Sequence, residues 1–229
     1  MENFHDSRIK IVKNKHDFID SLNKGLAAAK GDYIARMDTD DIMLPHRLQV
    51  QYNFMEDHPE IDICGSWMEI FGNRKNIVQV HTEHKEIVSS LLLYNTMSHP
   101  TIMFRKSTVC KNKTNIYKKG YDCAEDYKLW TDLAMKGLRF ANIPEVLLKY
   151  RYSENQVTNT RQREMMRNSL KIQIEYSEQI MQQIIEQEEK FYDLLENLIV
   201  LTNESLVGQR QMLSIIYQIY ANYYDKKKQ

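Results

Sequence analysis

The run Gly31-Asp-Tyr-Ile-Ala-Arg-Met-Asp-Thr-Asp-Asp-Ile-Met-Leu-Pro-His-Arg-Leu48 reads as a short strand, a knot of acids and the start of a helix. The strand covers residues 33–37 and delivers Asp38, Asp40 and Asp41 to the loop before a helix that begins near Pro45. Two carboxylates about 4 Å apart repel by about 4 kcal/mol at an effective dielectric near 20, so such a cluster needs a cation or hydrogen-bond donors beside it. A hard divalent ion meets that need, since Mg²⁺ takes one or two carboxylates and completes its shell with water and phosphate oxygens. A capped turn meets it as well, with Asp40 or Asp41 as the N-cap of the following helix. Spacing alone does not choose between them.

Two other readings of the cluster fail on single residues. A calcium-binding EF-hand loop starting at Asp38 needs Gly at its sixth position and Glu at its twelfth, where Met43 and Gln49 stand. A dinucleotide fold or P-loop needs a glycine fingerprint, and the 7 glycines of this chain form none.

The chain of 229 residues is long enough for one good-sized domain with an appendage. Its 31 basic and 31 acidic residues cancel, so no global field draws nucleic acid or an anionic membrane. Cys64, Cys110 and Cys123 are too few and too scattered for a disulfide framework or zinc site, and are read as small core residues of a protein in a reducing compartment. No apolar run reaches membrane-spanning length and the first residues lack signal-peptide character, which gives a cytoplasmic expectation.

Working outward, residues 8–12 read as a strand and residues 17–29 as a helix with Phe18, Leu22, Leu26 and Ala29 on one face, stopped by Gly31. The helix from Pro45 to about residue 57 turns Leu48, Tyr52 and Met55 inward. Residues 61–71 and 100–105 read as strands, 85–93 and 127–136 as helices, and 140–152 as strands around a turn at Pro144. Interleaved strands and helices without internal repeats indicate a layered α/β domain. Past Gln156 the composition shifts; residues 160–201 hold almost no breakers, and Met166, Leu170, Ile174, Ile180, Ile184, Phe191, Leu195 and Leu198 recur at helical steps or multiples of them. With a second helix over residues 205–224, this tail is a helical hairpin. It packs on the domain or on another copy, or lies on a membrane surface through Tyr217, Tyr220, Tyr223, Tyr224 and the lysines at 226–228.

The segment Ser21-Leu-Asn-Lys-Gly-Leu-Ala-Ala-Ala-Lys-Gly-Asp-Tyr-Ile-Ala-Arg-Met-Asp-Thr-Asp-Asp41 closely resembles the middle of family 2 glycosyltransferases of the GT-A fold. Three further stretches follow in the family's order: Ser98-His-Pro-Thr-Ile-Met-Phe-Arg105, similar to the strand beside the acceptor; Ala124-Glu-Asp-Tyr-Lys-Leu-Trp130, similar to the Glu-Asp motif; and Leu147-Leu-Lys-Tyr-Arg-Tyr-Ser-Glu-Asn-Gln-Val157, similar to the segment that closes the donor site. The match runs over residues 8–158. It divides the chain into a GT-A domain over 1–158, shortened at its start, and a helical extension over 159–229.

The resemblance implies transfer of a sugar from a nucleotide-diphosphate donor to a hydroxyl of a saccharide or lipid-linked acceptor, in polysaccharide or glycoconjugate synthesis, with inversion and with Mg²⁺ or Mn²⁺. It implies Asp40 as the metal contact, Asp38 near the ribose or a metal-bound water, and Asp41 with a lesser part at the donor. It implies Asp126 as the general base with Glu125 beside it. Without the resemblance, Glu125 and Asp126 read first as acids at a helix start, a cap with ordinary charge-dipole stabilisation. Arg36 and Arg151 are weaker donor-side candidates, Arg151 as a phosphate contact. His99 and Trp130 are acceptor-side candidates, although a core position suits each as well. His81 and His84 lack a third ligand and are read as surface residues.

Two departures from the family pattern carry expectations of their own. Ser153 stands where many relatives carry His. The family's first strand, first helix and second strand, which hold the nucleobase and ribose, are expected before Arg8, where seven residues stand. The strand ending at Asp38 is then expected to have an open edge, available to a second copy or a partner chain. An alternative function follows: a shortened, inactive chain that serves as a binding or assembly partner. Under either function, peripheral contact with the inner membrane face is an expectation for the chain.

Overall fold

The computed structural model describes residues 6–15, 17–111, 113–153, 160–185 and 214. Helix α1 (Phe18–Ala28) begins at Asp17, whose carboxylate accepts the Asp20 N–H at 2.9 Å, satisfying one of the donors that a helix start leaves unpaired. It ends at Ala29, in extended conformation, two residues before the predicted stop at Gly31. Strands β1 (Tyr33–Ala35) and β2 (Ile42–Met43) flank the acid cluster, and α2 (Arg47–Asp57) follows. Then come β3 (Ile63–Gly72), β4 (Asn76–Val78), α3 (His84–Ser90), a 3-10 turn His99–Thr101, β5 (Met103–Arg105), α4 (Lys106–Val109), α5 (Glu125–Met135), β6 (Phe140–Tyr152) and α6 (Gln162–Ile185).

The strands form one mixed sheet in the order β1-β5-β3-β6-β2, with β4 paired to β3 beside that path. Among the described residues only the β3–β6 ladder is parallel, running from Ile63 opposite Phe140 to Gly72 opposite Tyr152. Side chains alternate along a strand, and here the alternation divides the core. Ile63, Phe104 and Phe140 face a large cluster built with α1, α3, α5 and α6, while Cys64, Met103 and Ala141 face a smaller one under α2. The result is a three-layer α/β domain.

Several local expectations are corrected. Residues 8–12 form no strand, and Ile9, Ile11 and Val12 are exposed: alternation makes a strand only where a neighbour supplies hydrogen bonds. Residues 140–152 are one strand rather than two, because Pro144 and Glu145 sit in a bulge where the register jumps from Ser66–Ile143 to Trp67–Val146. Pro has no N–H, so a position outside the ladder costs it nothing. Residues 99–101 are a 3-10 turn before β5 rather than strand.

Helix α2 is rotated from its predicted face. Leu48 and Tyr52 are exposed, and Arg47, Gln51 and Met55 are buried on one four-residue row. A buried arginine costs least when its donors are used, and here Nε and Nη2 are used while Nη1 has no partner among the described residues. Arg47 Nη2 donates to the Arg36 and Ile102 carbonyls at 2.9 and 3.2 Å, and Nε to Gln51 Oε1 at 2.8 Å; Gln51 Nε2 in turn donates to the Thr101 carbonyl at 2.8 Å. The pair thus pins the backbone just ahead of the acid cluster. Burial lowers the Arg47 guanidinium to about 10.

The tail helix α6 packs on α5 and enters the large core through Ile172, Tyr176 and Ile180; Ile180 is buried as expected, whereas Met166 and Ile174 are exposed and Ile172 and Tyr176 are buried in their stead. Lys128, buried on α5, reaches Glu175 of α6 at 2.8 Å and Asp132 at 3.1 Å, and Tyr176 Oη donates to the Val88 carbonyl. The rest of the predicted tail, including the second helix and its tyrosines, lies outside the described residues. No helix among the described residues is long and apolar enough to cross a membrane. Strand β1 has β5 on one side and, among the described residues, no strand on its other side.

Candidate active site

The backbone leaves β1 with the Arg36 N–H still donating to Ile102 across from it, then folds into a turn in which the Asp41 N–H points to the Asp38 carbonyl at 3.4 Å. The end of β6 stitches this turn down. The Arg151 N–H donates to Asp41 Oδ1 at 2.9 Å, and Arg151 Nε to the Asp40 carbonyl at 2.9 Å. The Arg151 guanidinium lies over the Phe71 ring, 4.6 Å from its centre. Arg151 therefore braces the turn from behind.

The three aspartates occupy three environments. Asp38 is gripped by both arms of Arg36, at 2.8 and 2.5 Å. Burial raises its carboxyl, and Arg36 opposes that rise. Asp40 is exposed, with no hydrogen bond to its carboxylate among the described residues. Asp41 is buried beneath the turn; burial pushes its carboxyl up to about 6, and its Oδ2 has no partner.

Across the cleft, α5 starts with two acids. Before it, Cys123 takes a left-handed backbone conformation (φ 63°), which costs a residue with a side chain roughly 1–2 kcal/mol. That bend aims the first turn of α5 at the aspartate turn. Asp126 Oδ1 accepts the Tyr127 N–H and Oδ2 accepts from Asn95 Nδ2, both at 2.8 Å. Burial raises the Asp126 carboxyl while these two donors hold it back. Glu125 is raised to about 7, by burial first and by the neighbouring Asp126 charge second.

One cavity of about 840 Å³ joins the two acid groups. Arg36, Asp38, Asp40, His99, Glu125 and Asp126 all line it; Asp41, Arg151 and Trp130 do not. His99 is buried, kept neutral by burial, and bonded through Nε2 to Tyr117 Oη at 2.8 Å. Trp130 is fully buried behind it, its ring 6.0 Å from His99, in the core position that suited it from the start. His81 is half-exposed and bonds Tyr94 Oη, while His84 Nδ1 accepts the Phe140 N–H.

Several lining residues were not read from sequence: Asn95, Asp122, Tyr150, and Arg161, Met165 and Ser169 of the α6 end. The four-residue spacing of the last three was a legible helical stripe. Asn95 stands in a loop with no periodic signal.

The donor set can be tested for a metal. Among the described residues no three His, Cys, Asp or Glu side chains converge as a cage. Asp40 is the open carboxylate, and Asp38 would have to release Arg36. This suits Mg²⁺ or Mn²⁺ held by one or two carboxylates, with phosphate oxygens and water completing the shell.

The pH dependence of stability reports on Glu125. Its folded value lies above the unfolded one, so the stability it contributes is complete below about pH 4.5 and is lost as pH rises through about 7. The loss is on the order of 3 kcal/mol. Urea midpoints measured from pH 4.5 to 8 should fall less steeply for Glu125→Gln than for the wild type, with the variant the more stable protein at pH 8. Parallel curves would remove the buried charge from this account.

Comparison with known proteins bears on the family and the fold. The chain is 34% identical over 183 residues to an uncharacterized glycosyltransferase of Haemophilus influenzae, covering 74% of this chain and 56% of the relative. It is 31% identical over 151 residues to the O-antigen biosynthesis glycosyltransferase WbnJ of Escherichia coli, covering 64% and 58%. The chain thus spans little more than half the length of these curated relatives. Among solved structures, the Staphylococcus aureus TarS 1-349 complex with UDP-GlcNAc superposes with a TM-score of 0.51 at 16% identity, over 69% of this chain and 45% of that one, which shows a shared GT-A fold. The model of glycosyl transferase family 2 matches residues 1–118. That match covers half of the chain, including the first two of the four motifs: the protein belongs to glycosyl transferase family 2.

Proposed function

We propose that this chain provides the transfer site of a nucleotide-sugar-dependent glycosyltransferase acting in polysaccharide or glycoconjugate synthesis. The observation that carries the reading is the shared cavity, which brings the Asp38–Asp40 turn and the Glu125–Asp126 helix start onto one space large enough for a sugar. The O-antigen role of one relative and the UDP-GlcNAc held by TarS support the pathway class and the donor class.

Charge supports the need for a cation. Among the described residues, Asp38, Asp40, Asp122, Glu125 and Asp126 line the cavity against Arg36 and Arg161 alone, and each arginine already pairs with an acid. An anionic diphosphate entering such a space is repelled unless a positive ion accompanies it. Asp40, with Asp38 second, would hold Mg²⁺ or Mn²⁺. When bound, the ion would neutralise charge developing on the leaving diphosphate.

The chain's own residues handle the proton. Two N–H donors oppose the rise that burial imposes on the Asp126 carboxyl and hold both of its oxygens, whereas burial and the neighbouring Asp126 charge raise Glu125 to about 7. Asp126, held on both oxygens and lining the cavity, is assigned as the base. The acceptor oxygen bonds to the anomeric carbon as the bond to the diphosphate breaks, and the hydroxyl proton passes to Asp126. Attack from the side opposite the leaving group inverts the anomeric centre. Arg36 steadies Asp38 until the donor arrives, and buried His99 forms a neutral, fixed wall of the acceptor side.

The test is incubation of the protein and Mn²⁺ with radiolabelled UDP- and GDP-sugars, scoring transfer to membrane-extracted acceptors and hydrolysis. Turnover that needs the metal is expected. Metal-dependent nucleotide binding without any turnover would favour the assembly-partner alternative instead.

A further inference from the structure

The carboxylate assigned as base is not free to rotate. Its Oδ1 is held from its own helix by the Tyr127 N–H, and its Oδ2 from a separate loop by Asn95 Nδ2, each at 2.8 Å. We propose that Asn95 is the residue that positions Asp126 for proton transfer, an inference that rests on the reading of Asp126 as base.

The Asn95 amide has one defined orientation. Its Oδ1 accepts the Met97 N–H at 3.1 Å, which leaves its NH₂ group, and only that group, directed at Asp126. The loop behind it is fixed as well. Thr96 is buried, and its carbonyl accepts from Asn142 Nδ2 at 3.3 Å; the Leu93 carbonyl accepts from Gln173 of α6 at 2.7 Å. Asn95 thus transmits the rigidity of the sheet and of α6 to a carboxylate at the start of α5.

The residue type suits the task. A carboxylate oxygen offers two lone-pair sites, so one hydrogen bond to each oxygen fixes the plane of the group and leaves a site for the incoming proton. A neutral amide favours the charged form of Asp126 modestly. A lysine or arginine in its place would pair with Asp126 and weaken it as a base, and an acid would repel it.

Two variants lacking the donor, Asn95→Leu, close in volume, and Asn95→Ala, are compared with the wild type by carbon-detected NMR titration of the Asp126 side-chain carboxyl in the free protein. The Asp126 titration should move to higher pH in both. In the transfer assay kcat should fall about tenfold to a hundredfold, as for loss of one hydrogen bond to a charged group, with KM for the donor unchanged and the acid limb of the kcat profile moved to higher pH. An unmoved Asp126 titration in the variants overturns the proposal. So does a raised KM at constant kcat, which would make Asn95 a substrate contact. If the wild type transfers no sugar, the functional reading falls, and the NMR titration still decides whether Asn95 governs Asp126.

Discussion

Asp126→Asn is expected to lower kcat by two to four orders of magnitude, the range by which a positioned base accelerates proton transfer, while metal-dependent donor binding survives. The asparagine keeps the size of the side chain and can still accept through its oxygen. What it loses is the ability to take a proton as the acceptor oxygen attacks. In either orientation its NH₂ group would also face a donor, the Asn95 NH₂ or the Tyr127 N–H, so a modest loss of stability should accompany the loss of rate. Single-turnover kinetics with labelled donor separate the two effects. Retention of more than a tenth of wild-type kcat would move the base elsewhere, with Glu125, next in the chain and lining the same cavity, the group to examine.

Asp40→Asn should act on the other half of the reaction. Asp40 is the exposed carboxylate of the turn, free of the Arg36 clamp that occupies Asp38 and of the backbone donor that occupies Asp41. Removing its charge takes away the ligand best placed to hold a divalent ion against a diphosphate. A metal in that role stabilises the transition state by several kcal/mol, so kcat/KM should fall on the order of a thousandfold. Calorimetric titration of UDP and GDP in the presence and absence of Mn²⁺ supplies a readout independent of turnover. Wild-type protein should show metal-dependent heat and Asp40→Asn should not. Equal binding by both proteins would contradict Asp40 as the metal contact.

Much of this site could be read before the fold was known, for a physical reason. Strand, acid turn and helix are local in sequence, and so is the acid pair at the start of α5; caps and helical periods carry such features without help from distant residues. Pairing is not local. Nothing within residues 33–37 says that β1 lies antiparallel to β5, or that the strand assigned to residues 8–12 finds no neighbour. Helix α2 carries two competing rows, Leu48–Tyr52–Met55 and Arg47–Gln51–Met55. The polar row went inside because the Arg36, Thr101 and Ile102 carbonyls were there to receive it.

The division of labour within the acid cluster was equally hidden. Asp38, Asp40 and Asp41 look alike in sequence, and they differ only because Arg36 doubles back on the first and Arg151, far along the chain, caps the last. The same holds for the acceptor side. Trp130, placed one helical turn beyond Asp126, points into the core, while Asn95, without any sequence signal, reaches the base.

The central claim is that the aspartate turn and the Glu125–Asp126 helix start serve one reaction in one cleft. Paramagnetic broadening by Mn²⁺ in the presence of UDP tests it most directly, because the ion reports on every nucleus near it without requiring turnover. Amide signals of residues 38–41 and of residues 95–99 and 125–127 are expected to broaden together, and to sharpen again in Asp40→Asn. Broadening confined to residues remote from the turn, or at the turn with the signals of 125–127 untouched, would contradict the account.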